Sequence, residues 1–93
     1  MLLPILRTVV EEDGVWEVIF ANASIYRRLE EAFDALKWLL SREPERGTLI
    51  DDYFWVYKQR GNKDLNIPAL VVLYTFDHET VTLFSILVRL PTL

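Results

Sequence analysis

The feature that most constrains the fold is the apolar run at residues 69–88, which reads "ALVVLYTFDHETVTLFSILV". The turn-like "DHET" divides it into two strands, as in a β-hairpin. Successive side chains of a strand point to opposite faces of a sheet, so a hairpin resting on one layer of protein alternates apolar with polar residues. Here both faces are apolar. The sequence therefore predicts a sheet with two hydrophobic faces, each of which requires a cover.

One helix is predicted from "NASIYRRLEEAFDALKWLLSREPERG", where the hydrophobic period changes to that of an α-helix. Asn22 or Ser24 is predicted to cap its start, and Pro44 and Gly47 of "REPERG" end it shortly after Arg42. Trp38 lies away from the apolar stripe, so it either covers an N-terminal arm or marks a contact surface. The stripe consists of Ile25, Leu29, Ala32, Phe33, Leu36, Leu39 and Leu40.

The remaining segments predict strands. Asp-Gly in "PILRTVVEEDGVWEVIFA" suggests a hairpin whose second strand, at 15–20, is central, with residues 1–14 forming a strand or an arm. Three further strands, at about 52–58, 67–76 and 80–89, form an antiparallel meander. The sequence thus predicts a single α+β domain over residues 1–93, with one long amphipathic helix packed on a mostly antiparallel four- to five-stranded sheet. One helix covers one sheet face, so the other is predicted to be buried by the arm, a second copy or a different protein.

Composition excludes several classes of function. The chain has 93 residues and no cysteine, which rules out disulfides, thiolate metal sites and a cysteine nucleophile. Its net charge of −4 argues against tight nucleic-acid binding, because that affinity comes mainly from Lys and Arg. The start "MLLPILR" lacks a basic leader, and the uncharged run "LNIPALVVLYTF" is too short to span a bilayer as a helix. We therefore expect a soluble, cytoplasmic protein.

Two groups of residues are candidate contact sites. Lys58, Arg60 and Lys63 crowd around a predicted turn in "YKQRGNK", which is either a basic target contact or a solvated loop. The second group is aromatic and is predicted to form a protein interface. An aromatic row on a sheet can also stack nucleic-acid bases, although the acidic net charge argues against this. The aromatic group consists of Trp38, Tyr53, Trp55 and Tyr57.

Residues suited to catalysis are scarce. The only histidine, His78, lies in the turn "DHET", where a solvated role is expected because neighbouring side chains diverge at a strand end. Asp51 and Asp52 are adjacent, so on a strand their carboxylates point opposite ways and do not share a proton. We expect no metal, no cofactor and no catalytic residue, which favours a non-enzymatic protein.

The element order resembles that of the RelE/ParE superfamily, the bacterial toxins of toxin–antitoxin pairs. "WEVIFANASIYRRLEEAFDAL" is similar to the family's opening strand and helix, and "ALVVLYTFDHETVTLFSI" to its Arg-Val-x-Tyr strand and the following strand. The family arginine falls on Val71 and its tyrosine on Tyr74, while "RLPTL" replaces the His or Tyr beyond the last strand. The family's helical hairpin corresponds here to one predicted helix plus "REPERG". Arg60 and Arg89 are the cations left as substitutes.

The resemblance implies a toxin-like component of a type II toxin–antitoxin pair. Ribonuclease chemistry requires cations against the phosphate and acid–base groups at the 2′ oxygen, and the usual residues are missing. The implied activity is therefore binding of a target by Lys58, Arg60, Lys63 and Arg89, with an antitoxin peptide covering the second sheet face. The alternative is a non-catalytic α+β interaction module that forms a homodimer.

Overall fold

The computed structural model describes residues 6–91, so the part of the predicted arm at residues 1–5 lies outside the described residues. The protein is α+β, with two helices on one five-stranded sheet. A single turn of 3₁₀-helix, Pro44–Arg46, follows the second helix. The elements in chain order are β1 (Thr8–Glu11), α1 (Asp13–Asn22), α2 (Leu29–Arg42), β2 (Thr48–Leu49), β3 (Trp55–Gln59), β4 (Ala69–Phe76) and β5 (Thr80–Arg89).

The sheet has the strand order β1-β5-β4-β3-β2. Strands β3, β4 and β5 form the predicted antiparallel meander, and the short strand β2, which was not predicted, pairs antiparallel with β3. The first strand crosses over and lies parallel to β5, from Thr8 opposite Thr80 to Glu11 opposite Leu83. The sheet is therefore mixed, with three antiparallel pairs and one parallel pair that the sequence did not predict.

The predicted central strand at 15–20 was wrong, because these residues form most of helix α1. Val15 and Ile19 are four residues apart and both are fully buried, while Trp16 and Phe20 stack at 5.5 Å on the same spacing. β-Branched and aromatic residues favour strands, but this preference is weak and tertiary burial overrides it. Thr8–Glu11, within the region predicted as a strand or arm, supplies the opening strand instead.

The predicted long helix is shorter than expected. The protein has two helices rather than one, because Asp13–Asn22 forms a separate helix. Helix α2 begins at Leu29, and the turns at 23–28 leave Ile25 exposed. Asn22 ends α1, where its side-chain amide donates to the Val18 carbonyl, and it does not cap α2. The rest of the stripe and the end at Arg42 are confirmed. No helix within residues 6–91 is long and apolar enough to cross a bilayer.

Both helices contribute to one core on the same face of the sheet. Lys37 of α2 connects this layer to the edge strand, because its Nζ lies 3.0 Å from Glu11 Oε1 and 4.5 Å from the Phe33 ring centre. A register shift between β4 and β5 beside Leu73 allows both Leu83 and Ile86 to face the helices. The inward residues of the two long strands are Leu70, Val72, Tyr74, Val81, Leu83 and Ile86.

Candidate functional site: the open face of the sheet

The opposite side of the sheet carries no helix in the part of the chain that is described, and we call it the open face. Its side chains form rows that run across the strands. One row contains Lys58, then Val71, then Leu87 on neighbouring strands. The next row places Val56 beside Leu73. The open-face residues of the three long strands are Val56, Lys58, Ala69, Val71, Leu73, Thr75, Thr82, Phe84, Ser85, Leu87 and Arg89.

The middle of the open face is apolar. Val71 and Leu73 are only half-buried although they lie in the central strand β4, and Leu87 beside them is 53% exposed. Phe54 and Phe84 meet edge to face at 5.5 Å across the end of β4, where Thr75 is buried. These two rings are the largest cover that the described residues give this face, and they leave the aliphatic strip in contact with solvent.

One end of the open face is basic. Lys58, Arg60 and Arg89 line a shallow cleft of about 280 Å³ together with Val71 and Leu90. Within residues 6–91 none of the three cations forms an ion pair, since the four pairs present involve other side chains. We call these three residues the basic cluster. Within residues 6–91 these three cations lie together without an ion-paired carboxylate, although the chain as a whole has a net charge of −4.

The basic cluster agrees only in part with the predicted target contact. Lys58, Arg60 and Arg89, three of the four predicted residues, line one cleft, because Arg89 pairs with Ala69 beside the end of β3. Lys63, the fourth, lies in the turn between β3 and β4 and does not line the cleft. The strand register brings Arg89 next to residues 29 and 31 positions earlier in the chain.

The other end of the open face is acidic. Two turns meet there, one before β3 and one between β4 and β5, and each begins with an aspartate. Asp51 accepts the backbone N–H groups of Tyr53 and Phe54 at 2.8 Å, which lowers the pKa of its carboxyl. Asp77 accepts those of Glu79 and Thr80, also at 2.8 Å, which lowers its pKa as well. We call the four carboxylates of Asp51, Asp52, Asp77 and Glu79 the acidic end. Arg7 also lies there, since its Nε donates to the Asp77 carbonyl at 2.6 Å.

The predicted aromatic interface does not lie on the open face. Trp55 and Tyr57 pack against the core on the helix side, and Tyr53 precedes β3 in an exposed turn. Trp38 is exposed on the outer side of α2, where the Arg42 guanidinium carbon lies 4.4 Å from its ring centre. The four residues are therefore not brought together. Because β3 directs Trp55 and Tyr57 toward the helices, no exposed row is available for stacking bases.

Tyr74, on which the family tyrosine falls, has a structural position. It is fully buried, its hydroxyl donates to the Pro44 carbonyl, and it accepts the Gly47 N–H at 3.2 Å. Burial raises the pKa of Tyr74 to about 12. A Cβ on Gly47 would meet this hydroxyl and would lie 2.7 Å from the Val56 carbonyl oxygen, so glycine is required there. Tyr74 thus joins β4 to the segment after α2 and is not poised to exchange a proton with a substrate.

His78 lies exposed in the β4–β5 turn, as predicted. Within residues 6–91 no three His, Asp or Glu side chains are grouped closely enough to hold a metal ion. The same turn region contains Asp77, whose carboxylate is already occupied by two backbone N–H groups. The Asp77 carboxylate therefore holds the turn in shape.

No protein-family model matches the chain, and no curated protein or solved structure matches it. The function is therefore inferred from the molecule itself. Its most informative feature is an apolar sheet face between a basic and an acidic end.

Proposed function

We propose that this protein is a binding protein whose open face contacts another protein. The observation that carries the proposal is the apolar strip formed by Val56, Val71, Leu73 and Leu87: the described residues 6–91 place no helix over it, whereas both helices pack on the sheet's other face. Monomeric proteins rarely leave apolar patches above a few hundred Å² in water, and such patches mark interaction sites. Covering the strip would gain about 25 cal/mol for each Å² removed from water.

The titratable groups favour binding over catalysis. Tyr74 is buried with a raised pKa, and the carboxylates of Asp51 and Asp77 are engaged by backbone donors. Lys58, Arg60 and Arg89 remain as charged groups available to a partner. They are suited to binding an anionic surface, while no neighbouring group is placed to act as an acid or a base.

Site-specific photo-crosslinking tests this proposal. A benzophenone amino acid is placed at Leu87 on the open face, and at Ile25 as a matched control. Both positions are exposed and apolar, at 53% and 62%, but Ile25 lies on the helix side. We expect irradiation of expressing cells to yield protein adducts from position 87 and far fewer from position 25. Absence of adducts at 87, or equal yields from both positions, would contradict the proposal.

A toxin-like component of a type II toxin–antitoxin pair is the second candidate. One observation favours it: the basic cluster is free of ion pairs within residues 6–91. The residues that the resemblance assigned to the opening strand, 16–20, lie in helix α1 instead. In this form an antitoxin peptide covers the open face. The released protein acts in the cytoplasm by binding its target through the basic cluster, without cleaving RNA.

Growth inhibition tests the second candidate. The chain is expressed from an inducible promoter in bacteria, beside a variant with Lys58, Arg60 and Arg89 changed to Ala. Arg27→Ala serves as the control, because this exposed arginine lies on the helix side. We expect inhibition by the wild type and the control but not by the triple variant. A wild-type chain that leaves growth unchanged would exclude the toxin.

A further inference from the structure

The two ends of the open face are complementary to each other. Lys58, Arg60 and Arg89 lie where β3 and β5 end. The four carboxylates of the acidic end lie where β3 and β5 begin, about 25 Å away along an eight-residue central strand. A surface that carries a basic end, an apolar middle and an acidic end can be matched by a reversed copy of itself.

Symmetry allows two ways to place two open faces together. A two-fold axis along the strands would put each basic end over the partner's basic end. An axis perpendicular to the strands and parallel to the sheets reverses one copy, so that each basic end lies over the partner's acidic end. The apolar strip meets its own equivalent in both cases, but only the reversed arrangement pairs opposite charges.

The available area is sufficient for a modest dimer. Five strands at their usual spacing give a face of about 20 by 25 Å, so two copies would bury roughly 1,000 Å² in total. This is near the lower limit for specific interfaces and above most crystal contacts, which are under about 800 Å². The expected complex is therefore concentration-dependent.

We propose that the occupant of the open face is a second copy of this chain, related by a two-fold axis perpendicular to the strands. The two sheets form a sandwich in which Arg60 and Arg89 of each copy face the partner's acidic turns. This inference rests on the proposed function, since it names the partner of the same surface. Packed sheets of this kind keep their strand directions within about 30° of each other or of the reverse direction.

Charge reversal at one end tests the arrangement. The variant Arg60→Glu/Arg89→Glu makes both ends of the face acidic. The variant Asp52→Lys/Glu79→Lys removes the net negative charge of the acidic end, and it leaves Asp51 and Asp77 to hold the turns. We expect each variant to weaken self-association about tenfold or more at low salt. Arg27→Glu, on the helix side, gives the matched control and should dimerise like the wild type.

Mixing the two variants gives the decisive result. In the reversed arrangement one contact of the mixed dimer still pairs the unchanged basic cluster of one variant with the unchanged acidic end of the other, so the mixture should form a heterodimer although neither variant self-associates. Light scattering behind size exclusion measures the mass over a roughly hundredfold range of concentration. A mixture that stays monomeric, or variants that dimerise like the wild type, would overturn the inference. If a reversed chain does not fold by circular dichroism, Lys58→Glu/Arg89→Glu replaces the first variant.

The failure of this inference differs from failure of the proposed function. A wild-type chain that stays monomeric over the whole range would exclude the second copy as occupant. Adducts from Leu87 to a different protein would then retain the proposed function with another partner. Absence of any adduct at Leu87 would reject both.

Discussion

The two faces of the sheet have similar composition and opposite environments. In β4, Leu70, Val72 and Tyr74 point to the helices and are fully buried, while Val71 and Leu73 point away and stay partly exposed. Alternation along a strand assigns residues to faces but says nothing about what lies over each face. The difference shows that the strand pattern makes both faces hydrophobic, whereas the helices of the described chain cover only one of them.

Charge follows the same division. The four ion pairs within residues 6–91 all lie on the helix side or in its connections, including Arg28 with Glu31 at 2.8 Å and Lys37 with Glu11 at 3.0 Å. The cations of the open face have no such partners in the described part of the chain. The helix side thus engages some of its cations in local ion pairs, while Lys58, Arg60 and Arg89 stay available to a partner within the described residues.

A pair of substitutions in β5 gives the largest contrast. Leu83→Ala removes a fully buried side chain on the helix side, and we expect it to lower the free energy of unfolding by about 2–5 kcal/mol. Leu87→Ala, on the open face of the same strand, should cost less than about 0.5 kcal/mol in dilute solution. Urea unfolding measures both. Equal losses would show that Leu83 and Leu87 are equally buried, and a Leu87→Ala effect that grows with protein concentration would indicate a covered open face.

Gly47→Ala tests how tightly the covered side is closed. The new methyl group would lie 2.7 Å from the Val56 carbonyl oxygen and would collide with the Tyr74 hydroxyl. We expect a loss of about 1–3 kcal/mol in urea unfolding. Gly14→Ala is the control, since a Cβ there meets nothing within 4 Å and alanine is the better helix former. An unchanged stability for Gly47→Ala would show that this junction is loose.

Tyr74→Phe removes the hydroxyl between Pro44 and Gly47, and should cost about 1–2 kcal/mol at neutral pH. The pKa of Tyr74 is raised from 10.0 to about 12 in the folded state. Its proton therefore stabilises the fold fully below pH 10, and this contribution is lost as the pH rises toward 12. Urea unfolding between pH 8 and 12 should show a smaller decline for Tyr74→Phe than for the wild type. Parallel declines would contradict the raised pKa.

The smallest expected effect is that of removing one positive charge on thermal stability, and its sign differs between the helix side and the open face. Arg28→Gln removes an exposed ion pair with Glu31 and should lower the melting temperature slightly at low salt. Arg60→Gln reduces repulsion within the basic cluster, so in dilute solution it should leave the melting temperature unchanged or raise it slightly. Thermal unfolding at low and high salt measures both. A loss from Arg60→Gln would reveal a carboxylate partner for the basic cluster.

The sequence alone determined the features that depend on local periodicity. The stripe from Leu29 to Leu40 identified the main helix, and apolar runs separated by short turn-rich breaks identified the meander. It also indicated two apolar faces. The strand predicted at 15–20 failed, because its β-branched residues suit a strand locally while Val15 and Ile19 also match one face of a helix.

Only the tertiary structure decided which residues meet. Parallel pairing of β1 with β5 follows from the helical crossover, and the register of β4 with β5 brings Arg89 to Lys58 and Arg60. The register of β3 with β4 places Trp55 and Tyr57 on the helix side, beside Tyr74 and Val72. Such groupings depend on contacts between residues far apart in the chain, whose energies are set by packing. A local pattern shows that a face is apolar, but its neighbours are fixed only when the whole chain has folded.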